Sequence, residues 1–185
     1  MESSSQRGRV FLATPNAECE DEFIAAVIQS ERLHHPWVFP PRNHEQYLTY
    51  LERIKSGRTI PNLIRLTTDN RPVGVINISE PVMGVFQSAY LGFYAFAGFE
   101  HRGLMAEGLA LVLDRGFNEL GFHRLEANIQ PPNLASAALV RRHGFRKEGF
   151  SPKYIFIDGD WRDHDRWAIL KDEWSATRER LFASR

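Results

Sequence analysis

Apolar and polar positions change their period twice along this chain. From Glu20 to Arg32, Phe23, Ile24, Val27 and Ile28 recur at helical spacing, and from His44 to Ser56 so do Tyr47, Leu48, Leu51 and Ile54, ended by Gly57. Between these two helices, His34–Pro41 carries three prolines. Proline removes a backbone donor and fixes φ, so a stiff aromatic loop is expected there. Arg9–Ala13 reads as a short first strand, followed by a turn at Thr14–Asn16. From Leu63 the period is two. Leu63–Thr67 and Pro72–Ile78 are expected as antiparallel strands joined by a turn at Asp69–Arg71. Tyr90–Phe96 is a strand rich in aromatic residues, followed by a helix through Leu109, Val112, Leu113, Phe117 and Leu120. A strand at Arg124–Ile129 and a helix beyond Asn133 come next, closed by His143-Gly144-Phe145. Tyr154–Ile157 and Asp160–Leu170 form a hairpin at Asp158-Gly159, because a type I′ turn requires φ > 0 at both central residues. Lys171–Ala183 is a terminal helix. This order predicts a mixed α/β fold, a single-layer sheet covered by helices rather than a doubly wound parallel sheet.

Composition narrows the class without naming a function. A chain of 185 residues, 43% hydrophobic and 25% charged, suits one globular domain over residues 1–185, with the polar Met1–Gly8 expected to be frayed and disordered. Lys and Arg number 23 against 23 Asp and Glu, so a nucleic-acid partner is not expected. The single cysteine, Cys19, excludes an internal disulfide framework and a cysteine-based metal site. No long apolar run and no apolar signal core are present, which makes a cytoplasmic protein without membrane contact the expectation.

The stretch from Tyr90 to Phe145 holds the candidate chemistry. A strand that empties into Gly98 and Gly103 and then a helix N-terminus can hold an anion, since the unpaired N–H groups of the first turn point one way and the helix dipole adds positive charge. A buried strand–loop–helix without ligand accounts for the pattern equally. Other constellations fail. Gly103-x4-Gly108 lacks the Lys and Ser/Thr of a P-loop, since Leu109 and Ala110 stand in their place. No G-x-G-x-x-G follows a strand, no G-x-S-x-G elbow is present, and the histidines form no H-x-x-x-H pair, so no metal is expected. Asp163 and His164 are adjacent in a strand and point to opposite faces, which excludes a relay between them.

From about Leu33 to Leu170 the chain resembles the GNAT acetyltransferases, in particular their RimJ/RimL-type branch of ribosomal-protein N-terminal acetyltransferases. Five motifs in order carry the resemblance: Gly103-Leu104-Met105-x-Glu107, His123-Arg124-x-x-Ala127-Asn128, Asn133-x-x-Ser136, Gly144-Phe145-x-Lys147-Glu148-Gly149, and Ile157-Asp158-Gly159-x-Trp161-Arg162-Asp163-His164. The His35-Pro36-Trp37 loop fits the same branch. The resemblance implies a mixed, mostly antiparallel central sheet with a splayed parallel pair and helices on both faces.

It also implies acetyl-coenzyme A as co-substrate and an amine as acceptor. Acetyl-coenzyme A would lie in the wedge between Tyr90–Phe96 and Arg124–Ile129. Its pantetheine arm would pair with backbone at Tyr94, Ala95 and Phe96, and its pyrophosphate would sit on Arg102, Gly103, Leu104, Met105 and Ala106, with Arg142 adding charge. Asn133 would bond the pantetheine amide or cap its helix, or both. The first positions of the family's phosphate loop depart here: Glu100 and His101 stand where Gln or Arg is usual, so Glu100 must point away or weaken binding. The amine attacks the thioester directly, and backbone N–H at Ala95 or Phe96 is the expected oxyanion donor. Glu126 either deprotonates the amine through water or pairs with Arg124. Ser136 either donates toward the thiolate or serves binding and capping. Tyr154 stands near a carboxylate position of RimL-like members, so that base does not carry over. Trp37, Phe39, Arg42 and Tyr154 are the expected acceptor contacts. The implied activity is N-acetylation of a protein or peptide N-terminus. A small-molecule amine acceptor, and a non-catalytic acyl-coenzyme A sensor, remain as alternatives.

Overall fold

The computed structural model describes residues 8–182. Strand β1 (Val10–Ala13) is followed by helices α1 (Glu20–Gln29), α2 (Glu31–His34) and α3 (His44–Lys55). The meander β2 (Thr59–Ile60), β3 (Leu63–Leu66), β4 (Pro72–Val82) and β5 (Ser88–Ala95) leads into α4 (Leu104–Asp114). Then come β6 (Arg124–Ile129), α5 (Leu134–Arg142), β7 (Arg146–Ile157), β8 (Asp160–Leu170) and α6 (Lys171–Phe182). The described strands form one sheet in the order β1-β3-β4-β5-β6-β8-β7, with β2 paired to β4. Every neighbour pair is antiparallel except β5–β6. The chain therefore has the mixed α/β architecture expected from its pattern.

Alternation along the strands sorts the core into two layers. Ile64, Ile76, Ile78, Leu91, Leu125, Ala127 and Ile169 pack under Leu104, Leu109, Val112 and Leu113 of α4, with Val140 of α5 and Trp174 of α6. The opposite face buries Leu63, Val75 and Tyr94 beneath Phe23, Val27, Tyr47 and Tyr50 of α1 and α3. Phe23 sits 5.1 Å from Tyr47 and 5.8 Å edge-on to Phe96, centroid to centroid. Such aromatic pairs add about 0.5–1.5 kcal/mol beyond their buried area. α6 is fastened by Asp114, which accepts from Trp174 Nε1 at 2.9 Å and pairs with Arg178.

Three expectations are corrected in detail. The first helix does not run unbroken to Arg32. It stops at Ser30, whose hydroxyl donates to the Ala26 carbonyl at 2.6 Å, and restarts as α2, so His34 closes a helix rather than opening the loop. β4 continues past Ile78 to Val82 through a bulge. The helix expected through Leu120 widens into a π-turn at Arg115–Glu119. The Asp158-Gly159 turn has φ of 53° and 73°, the geometry its sequence requires. Asp163 and His164 act locally, Asp163 accepting from the Lys153 N–H and His164 Nδ1 lying 2.9 Å from the Arg162 carbonyl. The expectations for Met1–Arg7 and for Ala183 fall outside the described residues.

Candidate active site

β5 and β6 pair in register from Ser88↔Arg124 to Leu91↔Ala127 and no further. Each strand keeps its outer partner past that point: β5 pairs with β4 up to Ala95↔Gly74, and β6 with β8 up to Ile129↔Asp165. The two strands therefore splay toward their C-terminal ends, and the inner edge of β5 from Phe93 to Ala95 has no strand beside it. A cleft of about 510 Å³ fills the gap. Its walls are Phe93, Tyr94 and Ala95 of β5, the first turn of α4, the cleft-facing side of α5 from Asn133 to Arg142, and Leu33, His34, Trp37 and Val38.

The N-terminus of α4 is open and can accept an anion. Its N-cap is Gly103 at φ +74°, which offers no side chain to the first-turn N–H groups. The helix dipole adds to the positive potential at Leu104, Met105 and Ala106, which all line the cleft. Glu100 lines the cleft too, but its carboxylate is drawn back onto the Gly98 N–H at 2.7 Å. Glu107 is turned the other way, onto Arg9 at 2.8 Å. Close packing beneath the loop depends on Gly74, where a Cβ would meet Met105 Sδ and the Tyr94 carbonyl at 2.6 Å each.

Asn133 caps α5, its Oδ1 accepting from the Ser136 N–H at 3.1 Å, which leaves its NH₂ end to donate into the cleft. Ser136 and Arg142 share that wall. Tyr94 is buried, which pushes its phenol well above its ordinary pKa and keeps it protonated. Burial also lowers the His34 pKa, so that ring is neutral near pH 7.

Of the residues expected from sequence, Trp37, Tyr94, Ala95, Gly103, Leu104, Met105, Ala106, Asn133, Ser136 and Arg142 come together in this cleft. The others stand elsewhere. The Phe96 N–H donates to the Val73 carbonyl at 2.7 Å, and its side chain is in the core, so Phe96 is corrected: that N–H is not free to serve as an oxyanion donor or to pair in the cleft. Arg102 lies over the Phe99 ring, 5.9 Å from its centroid, outside the cleft walls. Phe39 and Arg42 line a separate cavity of about 140 Å³ behind α2, where Arg42 pairs with Glu31 at 3.2 Å. Glu126 accepts from Arg124 Nε at 2.9 Å, the ion pair that was one of its two expected roles. Tyr154 stands by Tyr90, opposite Glu126 on the polar face of the β5–β6 ladder. Sequence reasoning missed Ser30, His34 and Phe93. A polar side chain at an apolar helical position, as at Ser30 and His34, is the one signal that marked the first two.

Among the described residues no three His, Cys, Asp or Glu side chains gather into a metal site, and no helix is long and apolar enough to cross a membrane. An unpaired strand edge, an uncapped helix N-terminus and an inward-facing asparagine suit an extended amide chain that ends in phosphates. Comparison with known proteins agrees with that chemistry. The model of the acetyltransferase (GNAT) domain matches residues 9–146. A probable N-acetyltransferase of Bacillus subtilis, YjcK, is 34% identical over 124 residues, covering 67% of this chain and 68% of that protein. The Escherichia coli [ribosomal protein uS5]-alanine N-acetyltransferase is 38% identical over 106 residues, 57% of this chain and 55% of that one. A structure of Mycobacterium smegmatis RimJ in complex with CoA-disulfide superposes with a TM-score of 0.83 at 26% identity, covering 95% of this chain and 90% of that one. The spermidine N(1)-acetyltransferase of Escherichia coli is more distant, 24% identical over 108 residues and 58% of each chain. On the splayed sheet, the cleft and these matches together, the chain belongs to the GNAT family and is an acetyl-coenzyme A-dependent N-acetyltransferase.

Proposed function

We propose that the acceptor is the α-amine of a protein or peptide N-terminus. The observation that carries this reading is the charge balance at the cleft. Its only carboxylate among the described lining residues, Glu100, is tied to Gly98, and Arg142 shares the wall. On the adjoining polar face Glu126 and Glu148 are tied up by Arg124 and Arg146, and Arg146 also pairs with Glu173. A polyamine is a multiple cation and needs an excess of carboxylates to hold it; an N-terminal amine needs one neutral or singly charged pocket. Kinship with the uS5-alanine enzyme and with RimJ supports the same choice.

In this reading the inner edge of β5 at Phe93 pairs with the pantetheine amides, Asn133 donates to them, and the α4 N-terminus with Arg142 holds the phosphates. The co-substrate supplies the acetyl group as an activated thioester. The Ala95 N–H is placed to stabilise the oxyanion, and Ser136, in the α5 wall, donates toward the departing sulfur. The amine approaches over Tyr90, Glu126 and Tyr154. A protein α-amine has a pKa of about 7.7–8.0 against about 10.4 for lysine, so a strong base is not required. Glu126, held by Arg124, can relay a proton through water. A cytoplasmic location goes with this reading.

Thioester consumption, read as free coenzyme A thiol, tests it with peptides carrying a free or blocked α-amine and with spermidine. The free α-amine is expected to be preferred at least about tenfold in kcat/KM, a difference of about 1.4 kcal/mol. A preference for spermidine, or turnover of the blocked peptide through its lysine, overturns it. Coenzyme A binding without turnover of any acceptor would favour a sensor.

A further inference from the structure

Past Leu91 the inner edge of β5 has no strand to hold it, yet the geometry of the cleft depends on where that edge lies. Two side chains take the missing partner's place. His34 Nε2 lies 2.8 Å from the Ala95 carbonyl, and the Ala97 N–H donates to Ser30 Oγ at 2.8 Å. Ser30 and His34 are one helical turn apart at the α1–α2 junction, 1% and 3% exposed. The Ser30 hydroxyl proton is committed to the Ala26 carbonyl, which orients its lone pair toward Ala97. On the other side the Phe96 N–H donates to the Val73 carbonyl at 2.7 Å. Both ends of the Ala95–Phe96 peptide are therefore bonded, and its plane cannot turn.

A carbonyl only accepts, so the His34 ring must carry its proton on Nε2. Nδ1 is then a buried lone pair, and it has no partner among the described residues. An orphaned acceptor costs stability, and an aliphatic side chain of similar size would fill the space without it. What the histidine adds over packing is the single bond to Ala95.

We propose that Ser30 and His34 are positioning residues for acetyl transfer, a two-point clamp that fixes the peptides on either side of Phe96 at the exit of β5 and, through the backbone torsions at Ala95, the direction of the Ala95 N–H toward the thioester carbonyl. This rests on the reading above that the thioester lies beside Ala95. The clamp acts on the reacting carbonyl and not on the nucleotide end, which is bound at α4. Loss of the clamp therefore lowers kcat and leaves affinity for coenzyme A, which has no acetyl group, nearly unchanged.

The test uses the full chain with His34→Leu, His34→Gln, Ser30→Ala and Ser30→Thr. Melting temperature, calorimetric Kd for coenzyme A, and kcat with the best acceptor are measured for each. His34→Leu is expected to melt near the parent protein, to bind coenzyme A within about threefold, and to lose about tenfold or more in kcat, since small misplacement of a reacting group is costly in rate. His34→Gln, whose terminal NH₂ reaches Ala95, restores kcat to within about threefold. Should His34→Leu not fold, Ser30→Ala is read in the same way against Ser30→Thr, which keeps the hydroxyl. Parent-like kcat in His34→Leu, no rescue by glutamine, or a fall in coenzyme A affinity parallel to that in kcat overturns the clamp. An active parent with insensitive variants sinks the clamp alone, whereas a parent that acetylates no amine sinks the reading beneath it as well.

Discussion

Gly74→Ala is the sharpest perturbation the fold offers, because it strains the sheet at the edge of the cleft. A Cβ on Gly74 would lie 2.6 Å from both Met105 Sδ and the Tyr94 carbonyl oxygen, and 3.0 Å from Ala95 Cα. Ordinary contact begins near 3.4 Å, a shortfall of about 0.8 Å. Met105 can swing away, since its thioether is the end of a flexible side chain. The Tyr94 carbonyl and Ala95 Cα cannot, as they belong to the ladder between β4 and β5. Overpacking of this kind costs about 1–3 kcal/mol. For a chain of this size, that lowers the melting temperature by about 2–12 °C. The relief must push β5 outward at Tyr94 and Ala95, into the cleft, so activity should fall by more than stability accounts for. A displacement approaching 1 Å at a reacting group can cost about a hundredfold in rate. Gly92→Ala is the control on the same strand: nothing lies within 4 Å of its Cβ position, and its change in stability should stay within about 0.5 kcal/mol. Thermal unfolding and thioester consumption on both variants decide it. A Gly74→Ala protein with parental melting temperature and kcat would refute the argument that Gly74 sets the β4–β5 spacing.

Gly103→Ala places a side chain at φ +74°, which costs about 1–2 kcal/mol, and relief of that strain turns the first-turn N–H groups of α4 away from the cleft. Calorimetric titration should show coenzyme A binding about tenfold weaker, and unchanged affinity would mean the phosphates are held elsewhere. Burial lowers the pKa of His34, His143 and His164 below their ordinary values. The unfolded chain therefore takes up protons first, near pH 6.5, so stability should be fully present above that pH and fall as the pH drops through and below it. Melting temperatures from pH 8 to 5 check the sign, and a chain more stable at pH 5.5 than at pH 7.5 would contradict it.

The elements themselves were legible from local signals. Helical spacing at Phe23, Ile24, Val27 and Ile28, alternation in the meander, and the left-handed residues of Asp158-Gly159 are properties of neighbours in the chain, and local pattern records them. Breaks inside elements were not. The stop at Ser30 arises because its hydroxyl serves the Ala26 carbonyl and receives Ala97, a residue 67 positions away. The glycine loop before α4 was readable for the same local reason, since Gly103 supplies both the turn and the bare N-cap. Of its two departures, Glu100 and His101, the first is drawn back by a bond to Gly98 that only the folded loop displays.

Side-chain roles divided along the same line. That Asn133 caps a helix follows from its place before α5, and that Trp37 stands in a stiff loop follows from the prolines around it. That Glu126 pairs with Arg124, and that Phe39 and Arg42 line a separate cavity, depended on which faces the sheet and helices turned toward each other. Sequence alone determined that this chain builds a strand, a glycine loop and a helix N-terminus able to hold an anion, because those are local backbone properties. The tertiary structure decided where β5 and β6 part, and that His34 and Ser30 meet the Ala95 carbonyl and the Ala97 N–H at their parting. Those depend on hydrogen bonds between segments distant in the chain, and no pattern within a segment specifies its distant partner.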